Sequence, residues 1–188
     1  MGEKGQTKET DEALFCCDRL TVAYHGKPVV SEISFSVKRG EILGIVGESG
    51  SGKSTILKAA MGILGPGGAV AQGEIRLGGR VLSDLEERDL RPIRGAQMGM
   101  IVQDTKASLC PVRTIESQIY DMLAAHRPVT KRQARKQAAE MLMRLGLSDA
   151  GRILKCYPFQ LSGGMNQRVG IAMAMLLNPA LLLADEPT

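Results

Sequence analysis

The chain has 188 residues, enough for one substantial core, with 44% hydrophobic residues, 3% aromatic ones, no Trp and a net charge of +4. Its four cysteines, Cys16, Cys17, Cys110 and Cys156, form no C-x-x-C pair and no zinc-ligand spacing with a histidine, so they read as free thiols of a reducing compartment. Residues 1–12 lack the apolar run of a signal peptide and read as a disordered tail, while the apolar stretch 171–184 is broken by Asn178-Pro179 and is too short to span a bilayer.

In chain order, residues 20–24 alternate and read as a strand, and His25-Gly26-Lys27-Pro28 reads as a turn. Residues 29–37 alternate again, with Ile33, Phe35 and Val37 on one face. Lys38-Arg39-Gly40 then turns the chain into 41–46, an apolar run that reads as a buried strand paired on two edges. Gly47-Glu48-Ser49-Gly50-Ser51-Gly52-Lys53-Ser54-Thr55 follows, and 54–61 reads as the opening of a helix. A loop at 65–68, a short strand and turn at 73–79, and a charge-dense surface helix or loop at 84–94 lead to a second buried strand, 98–102, ending at Gln103-Asp104.

The next stretch is helical. Thr114 is placed to cap a helix with Ile115, Ile119, Met122 and Leu123 on one face. Thr130-Lys131-Arg132-Gln133 has capping-box form and opens a helix with Ala134, Ala138, Met141, Leu142 and Leu145 apolar, stopped at Gly146. The methionines at 122, 141, 143, 165, 173 and 175 read as flexible core filling. Arg127, Lys131, Arg132, Arg135, Lys136 and Arg144 face one acid, Glu140, in a basic helical stretch that reads first as a solvated face. Leu161-Ser162-Gly163-Gly164 opens a further helix to Leu177, and 180–184 reads as a buried parallel strand ending in Asp185-Glu186.

Residues 47–55 fit the phosphate-loop pattern G-x-x-x-x-G-K-[ST] in the strand-then-helix context that the pattern requires. Glycines let successive N–H groups turn toward phosphate oxygens, and the helix N-terminus adds its positive dipole end. Lys53 then neutralises the outer phosphates and the Ser54 hydroxyl can ligate Mg²⁺. Open parallel α/β sheets bind ligands at the carboxyl ends of their strands. Asp185 therefore reads as an Mg²⁺ ligand and Glu186 as the group that orients and polarises a water for attack on a γ-phosphate. Taken alone, the Asp-Glu pair is equally a cap or turn.

Leu161-Ser162-Gly163-Gly164-Met165-Asn166-Gln167-Arg168 resembles the signature motif of the ATP-binding-cassette (ABC) ATPases. Leu182-Leu183-Ala184-Asp185-Glu186-Pro187-Thr188 resembles their second nucleotide motif, and all the motifs stand in the family's order. The resemblance implies an α/β phosphate-loop NTPase (RecA-like) core with an N-terminal antiparallel β subdomain and an inserted α-helical subdomain at about 104–165. It implies ATP and Mg²⁺ as cofactors, with Gly47, Glu48, Ser49, Gly50, Ser51, Gly52, Lys53, Ser54 and Thr55 on the phosphates and Tyr24 stacked on adenine. Gln103 would touch Mg²⁺ or the lytic water, beside Ser54 and Asp185, and sense the membrane partner. Ser162, Gly163 and Gly164 would grip a γ-phosphate bound by a second subunit, homologous or identical, in a head-to-tail dimer. Lys53, Gln103 and Glu186 are the expected catalytic set.

Gln103-Asp104, Ser108-Leu109, Pro111-Val112-Arg113-Thr114-Ile115, Tyr157-Pro158-Phe159-Gln160 and Ile171-Ala172-Met173-Ala174-Met175 are similar to the importers of dipeptides, oligopeptides and nickel. Cys110, where Asn is usual, and Asn166, where Arg is common, depart from that group. The expected setting is the cytoplasmic face of the plasma membrane, with transmembrane permease subunits, an extracytoplasmic substrate-binding protein acting indirectly, and no nucleic acid. The alternatives are a soluble ABC-type ATPase acting on nucleic acid and a non-catalytic nucleotide-binding fragment. The family continues into an aspartate-bearing loop and a histidine that His25 and His126 cannot replace. Residues 13–188 are therefore expected to be a partial nucleotide-binding domain lacking the C-terminal part of the core, inactive alone.

Overall fold

A computed structural model describes residues 13–186, so the tail expected at 1–12 lies outside the described residues, as do Pro187 and Thr188. The chain divides into two units at the Arg94–Gly95 junction.

The first unit is built on an antiparallel sheet of β1 (Phe15–Tyr24), β2 (Lys27–Val37), β3 (Gly68–Leu77) and β4 (Arg80–Val81), in the order β2-β1-β3-β4. The central strand is apolar and buried at Phe15, Cys16, Cys17, Leu20, Val22 and Ala23. β2 keeps its expected alternation, but the phase changes along it. Val30 is buried opposite Val22, and Ile33, Phe35 and Val37 then face inward. An extra residue between Val30 and Ile33, with Glu32 at φ +50°, makes this a β-bulge that shifts which parity faces the core. Helix α1 (Lys53–Ala60) buries Ile56, Ala59 and Ala60, and α2 (Glu87–Leu90) is the only helix within the charge-dense 84–94 stretch.

Two expectations in this unit are corrected. The strand expected at 73–79 begins at Gly68, because Gly68 to Leu77 pairs along the whole of β1. The buried strand expected at 41–46 does not form. These residues belong to no strand and are all exposed, with Ile42 and Val46 each at 96%. A continuous apolar run becomes a buried strand only when neighbours satisfy its N–H and C=O groups, and none of the described strands pairs with it.

The second unit begins with β5 (Met98–Ile101), followed by α3 (Thr105–Ser108), α4 (Ile115–Ala124), α5 (Lys131–Arg144), α6 (Ala150–Lys155), a 3₁₀ turn (Pro158–Gln160), α7 (Gly163–Met175) and β6 (Leu181–Ala184). Caps appear where the residue types called for them. Thr114 Oγ1 accepts from Ser117 N at 3.3 Å, and Thr130 and Gln133 form a reciprocal capping box. Ile115, Ile119 and Leu123 of α4 meet Ala134, Ala138 and Leu142 of α5, Ile153 and Leu154 of α6, and Val169 and Ala172 of α7 in one apolar core. Met122, Met141, Met165 and Met173 pack at its margin, but Met143 and Met175 are exposed, so core filling describes only some of these methionines. β5 and β6 are parallel, with Met98 opposite Leu181 and Ile101 opposite Ala184. β6 is buried on one face rather than two: Leu181 and Leu183 are buried while Leu182 is 40% exposed and Ala184 is exposed. Helices α3 and α6 were not expected, because neither is long enough to show a hydrophobic period.

Candidate nucleotide site

In the first unit, the phosphate loop runs from exposed Gly47 into α1. Ser51 N donates to Glu48 O at 3.2 Å and closes a turn, while Gly50 and Gly52 lie at φ +83° and +93°. These left-handed steps turn successive amides to one side, as an anion-binding nest requires. Gly52 is the N-cap of α1, and no side chain caps it. It also touches β2: a Cβ there would stand 2.6 Å from Val30 Cγ2. The Lys53 ammonium donates to Gly47 O at 2.9 Å and Glu48 O at 2.8 Å, which holds it across the start of the loop. Ser54 and Thr55 occupy the first turn of α1 and are half-buried. Tyr24 is half-buried at the end of β1, with its ring over Gly68, where a Cβ would come within 2.7 Å of Cε1.

In the second unit, the parallel pairing of β5 and β6 brings two sequence-distant segments together. The last ladder bond runs from Asp185 N to Ile101 O at 2.9 Å. Immediately beyond it, Gln103 Nε2 donates to Glu186 Oε2 at 2.6 Å. This charge-assisted bond joins two of the expected catalytic residues. Asp185 is buried at 9% exposure, and Glu186 is exposed with its backbone at φ +47°. A glutamate in the left-handed region costs about 1–2 kcal/mol relative to an ordinary backbone.

Ser162 caps α7, accepting from Met165 N at 3.3 Å. Gly163 and Gly164 are exposed, and a Cβ on either would meet nothing within 4 Å, so this helix N-terminus is open to solvent. Asn166, one turn on, is buried at 1% and donates from Nδ2 to Pro158 O at 3.0 Å and Leu161 O at 3.3 Å. It ties the 3₁₀ turn to the start of α7, while its Oδ1 is buried without a partner. Thr105 was not singled out by sequence reasoning. It is 3% exposed, and its hydroxyl donates to Gln167 Oε1 of α7 at 2.9 Å. Only its place directly after Gln103-Asp104 could have signalled it. The phosphate loop and Tyr24 thus lie in the first unit, and Gln103, Ser162, Gly163, Gly164, Asp185 and Glu186 in the second.

A family model described as ABC transporter matches residues 30–188. The oligopeptide transport ATP-binding protein AppD of Bacillus subtilis (strain 168) is 45% identical over 162 residues, covering 86% of this chain and 49% of the relative. The dipeptide transport ATP-binding protein DppD of Escherichia coli (strain K12) is 42% identical over 180 residues, covering 94% of this chain and 55% of the relative. The chain therefore spans about half the length of these curated relatives. Among solved structures, the dimeric post-hydrolysis state of the ATP-binding cassette MJ0796 bound to ADP and Pi matches with TM-score 0.81 and 30% identity, over 93% of this chain and 74% of that one. The ATP-binding subunit of an ABC transporter matches with TM-score 0.74 and 29% identity, over 93% and 66%. The α/β fold expected for a phosphate-loop cassette is thereby shown.

Proposed function

The chain belongs to the ABC transporter family, and from that premise we propose that it supplies the ATP-binding and ATP-hydrolysing subunit of an importer for small peptides. The observation that carries this reading is the phosphate loop, an uncapped helix N-terminus with two left-handed glycines and Lys53 held at its entrance. Such a terminus is a ready anion site. The names of the relatives, oligopeptide and dipeptide transport, favour peptides over nickel as cargo.

Gly47, Glu48, Ser49, Gly50, Ser51, Gly52, Ser54 and Thr55 would surround the phosphates through their backbone amides, Lys53 would neutralise the outer charge, and Tyr24 would stack on the base. The Ser54 hydroxyl, the Asp185 carboxylate and the Gln103 amide oxygen are hard donors, which suits Mg²⁺ rather than a softer metal. Ser54 in the first unit, and Gln103 and Asp185 in the second, are the donors that the family resemblance assigns to the ion, whose chemistry would be to offset charge on the phosphate oxygens. Glu186 takes the base role because its carboxylate is exposed and oriented by Gln103. The open terminus at Ser162, Gly163 and Gly164 suits a γ-phosphate carried by a second subunit, and the MJ0796 cassettes are described as dimeric.

In this reading residues 13–188 form part of a nucleotide-binding domain. Residues from about 104 to 165 form the subdomain that docks on permease subunits at the cytoplasmic membrane face, with a substrate-binding protein acting indirectly. Among the described residues, no helix is long and apolar enough to cross a membrane.

Two variants test the proposal. Lys53→Ala is expected to lose tight MgATP binding, and equal affinities for a labelled ATP analogue would refute the assignment. In a chain that turns over ATP, Glu186→Gln is expected to keep nucleotide bound and slow hydrolysis by roughly 10² or more. An unchanged rate would remove Glu186 from the mechanism.

A further inference from the structure

Gln103 lies on an exposed stretch that has no ladder of its own. The β5–β6 pairing ends at the Asp185 N to Ile101 O bond, and the helix that follows, α3, has four residues, too few to hold itself together. The next fixed point after Ile101 is Thr105. Its hydroxyl donates to Gln167 Oε1 of α7 at 2.9 Å, with a longer contact to Val102 O at 3.4 Å. Its methyl lies against Gly170, where an added Cβ would overlap Thr105 Cγ2 and stand 2.8 Å from Oγ1. Around it, Asp104 Oδ1 caps α3 by accepting from Ala107 N at 2.9 Å, and Ser108 Oγ donates to Thr105 O at 2.7 Å.

Gln103 is thus strung between two anchors, Ile101 on the sheet and Thr105 against α7. We propose that Thr105 is a positioning residue: its hydrogen bond to Gln167, seated against Gly170, sets where Gln103 presents its amide to Glu186. Because Gln167 belongs to the helix that Ser162 caps, the same tether fixes that helix end relative to the Gln103–Glu186 pair. The consequence for hydrolysis rests on the functional reading above; the tether itself does not.

The test uses the full chain, ¹⁵N-labelled, with the Gln103 side-chain amide assigned by its loss in Gln103→Leu. In Thr105→Val, which keeps the shape and removes the donor, that resonance moves to the position of a solvated amide. Thr105→Ser keeps it in place. Gly170→Ala leaves both hydrogen-bonding groups intact but drives a carbon into Thr105, and shifts the resonance as Thr105→Val does. In a chain that turns over ATP, turnover in Thr105→Val falls about tenfold or more with KM for ATP unchanged, since sub-ångström to ångström misplacement acts on the chemical step, and Thr105→Ser restores it. A merely structural role would lower the unfolding midpoint without moving the Gln103 amide. An unmoved amide in Thr105→Val, or failure of Thr105→Ser to restore it, overturns the proposal. The functional reading fails on equal ATP-analogue binding by wild type and Lys53→Ala, and the tether fails on the amide resonance, so the two failures are distinguishable. A wild-type chain that hydrolyses no ATP, as expected of part of a domain, leaves the resonance to decide the tether.

Discussion

Replacing Gly52 by alanine tests the geometry of the phosphate loop directly. Two separate penalties can be read from its surroundings. Its backbone sits at φ +93°, where an L side chain is strained by about 1–2 kcal/mol. The new methyl would also stand 2.6 Å from Val30 Cγ2 and 3.4 Å from Val29 O. Pushing a buried valine aside in a packed sheet costs about 1–3 kcal/mol. Together these reach about 2–5 kcal/mol, where about 1.4 kcal/mol is a tenfold change in an equilibrium constant. If the loop gives way rather than the sheet, the loss appears in nucleotide affinity; if the sheet gives way, it appears in the urea unfolding midpoint. Both should be measured on the same samples. Val30→Ala removes the offending methyl, so the double variant should be better than additive by about 1–3 kcal/mol, while the backbone penalty persists. Gly52→Ala with wild-type unfolding and wild-type binding of an ATP analogue would refute this account. Strict additivity with Val30→Ala would refute the contact.

Leu142 is fully buried among α4, α6 and α7, so Leu142→Ala should lower unfolding stability by about 2–5 kcal/mol in urea titrations; a loss under about 1 kcal/mol would contradict the described core. Burial pushes the Cys17 thiol up from 9.0 to about 12, with adjacent Cys16 adding to the shift. The folded chain therefore keeps a proton that the unfolded chain releases, so this contribution to stability is complete below about pH 9 and is lost as pH rises toward 12. Cys17→Ala should flatten the fall of the urea midpoint over that window, and an identical slope in the variant would count against it. A thiol reagent at neutral pH should modify Cys110 and Cys156 in the native chain well before the buried pair Cys16 and Cys17, which equal rates would disprove.

Elements written in local chemistry were legible. Thr114 and Thr130 announce α4 and α5 because a cap needs only a side-chain oxygen three residues before the amide that it accepts from. The apolar periods at 115–123 and 134–142 then name the buried faces. What depends on neighbours was not legible. Residues 41–46 and 181–184 look alike in sequence, as short apolar runs. The second finds β5 and pairs, whereas the first finds no described partner and lies exposed. Even in β6 the run over-predicts burial, since only alternate residues face inward. The extra residue between Val30 and Ile33 is similarly invisible, because a bulge is a property of two strands in register and not of one.

The candidate site shows the same division at finer scale. Motif spacing proposes which residues matter, because a turn of left-handed glycines before a helix is a local device. It does not say which of them touch. Gln103 and Glu186 are 83 residues apart, and their bond exists only because two parallel strands end side by side. Nor does it point to residues whose role is to hold another in place. Thr105 looks like an ordinary polar residue in a short surface helix; what distinguishes it is a buried hydroxyl with its partner 62 residues away and a glycine opposite its methyl. Each of those three features comes from packing. A sequence pattern can therefore list the groups that would meet a nucleotide, but on the proposal above the precision with which Gln103 meets Glu186 depends on Thr105, a side chain outside every motif, and it is there that substitutions should alter turnover without altering the residues proposed to bind phosphate.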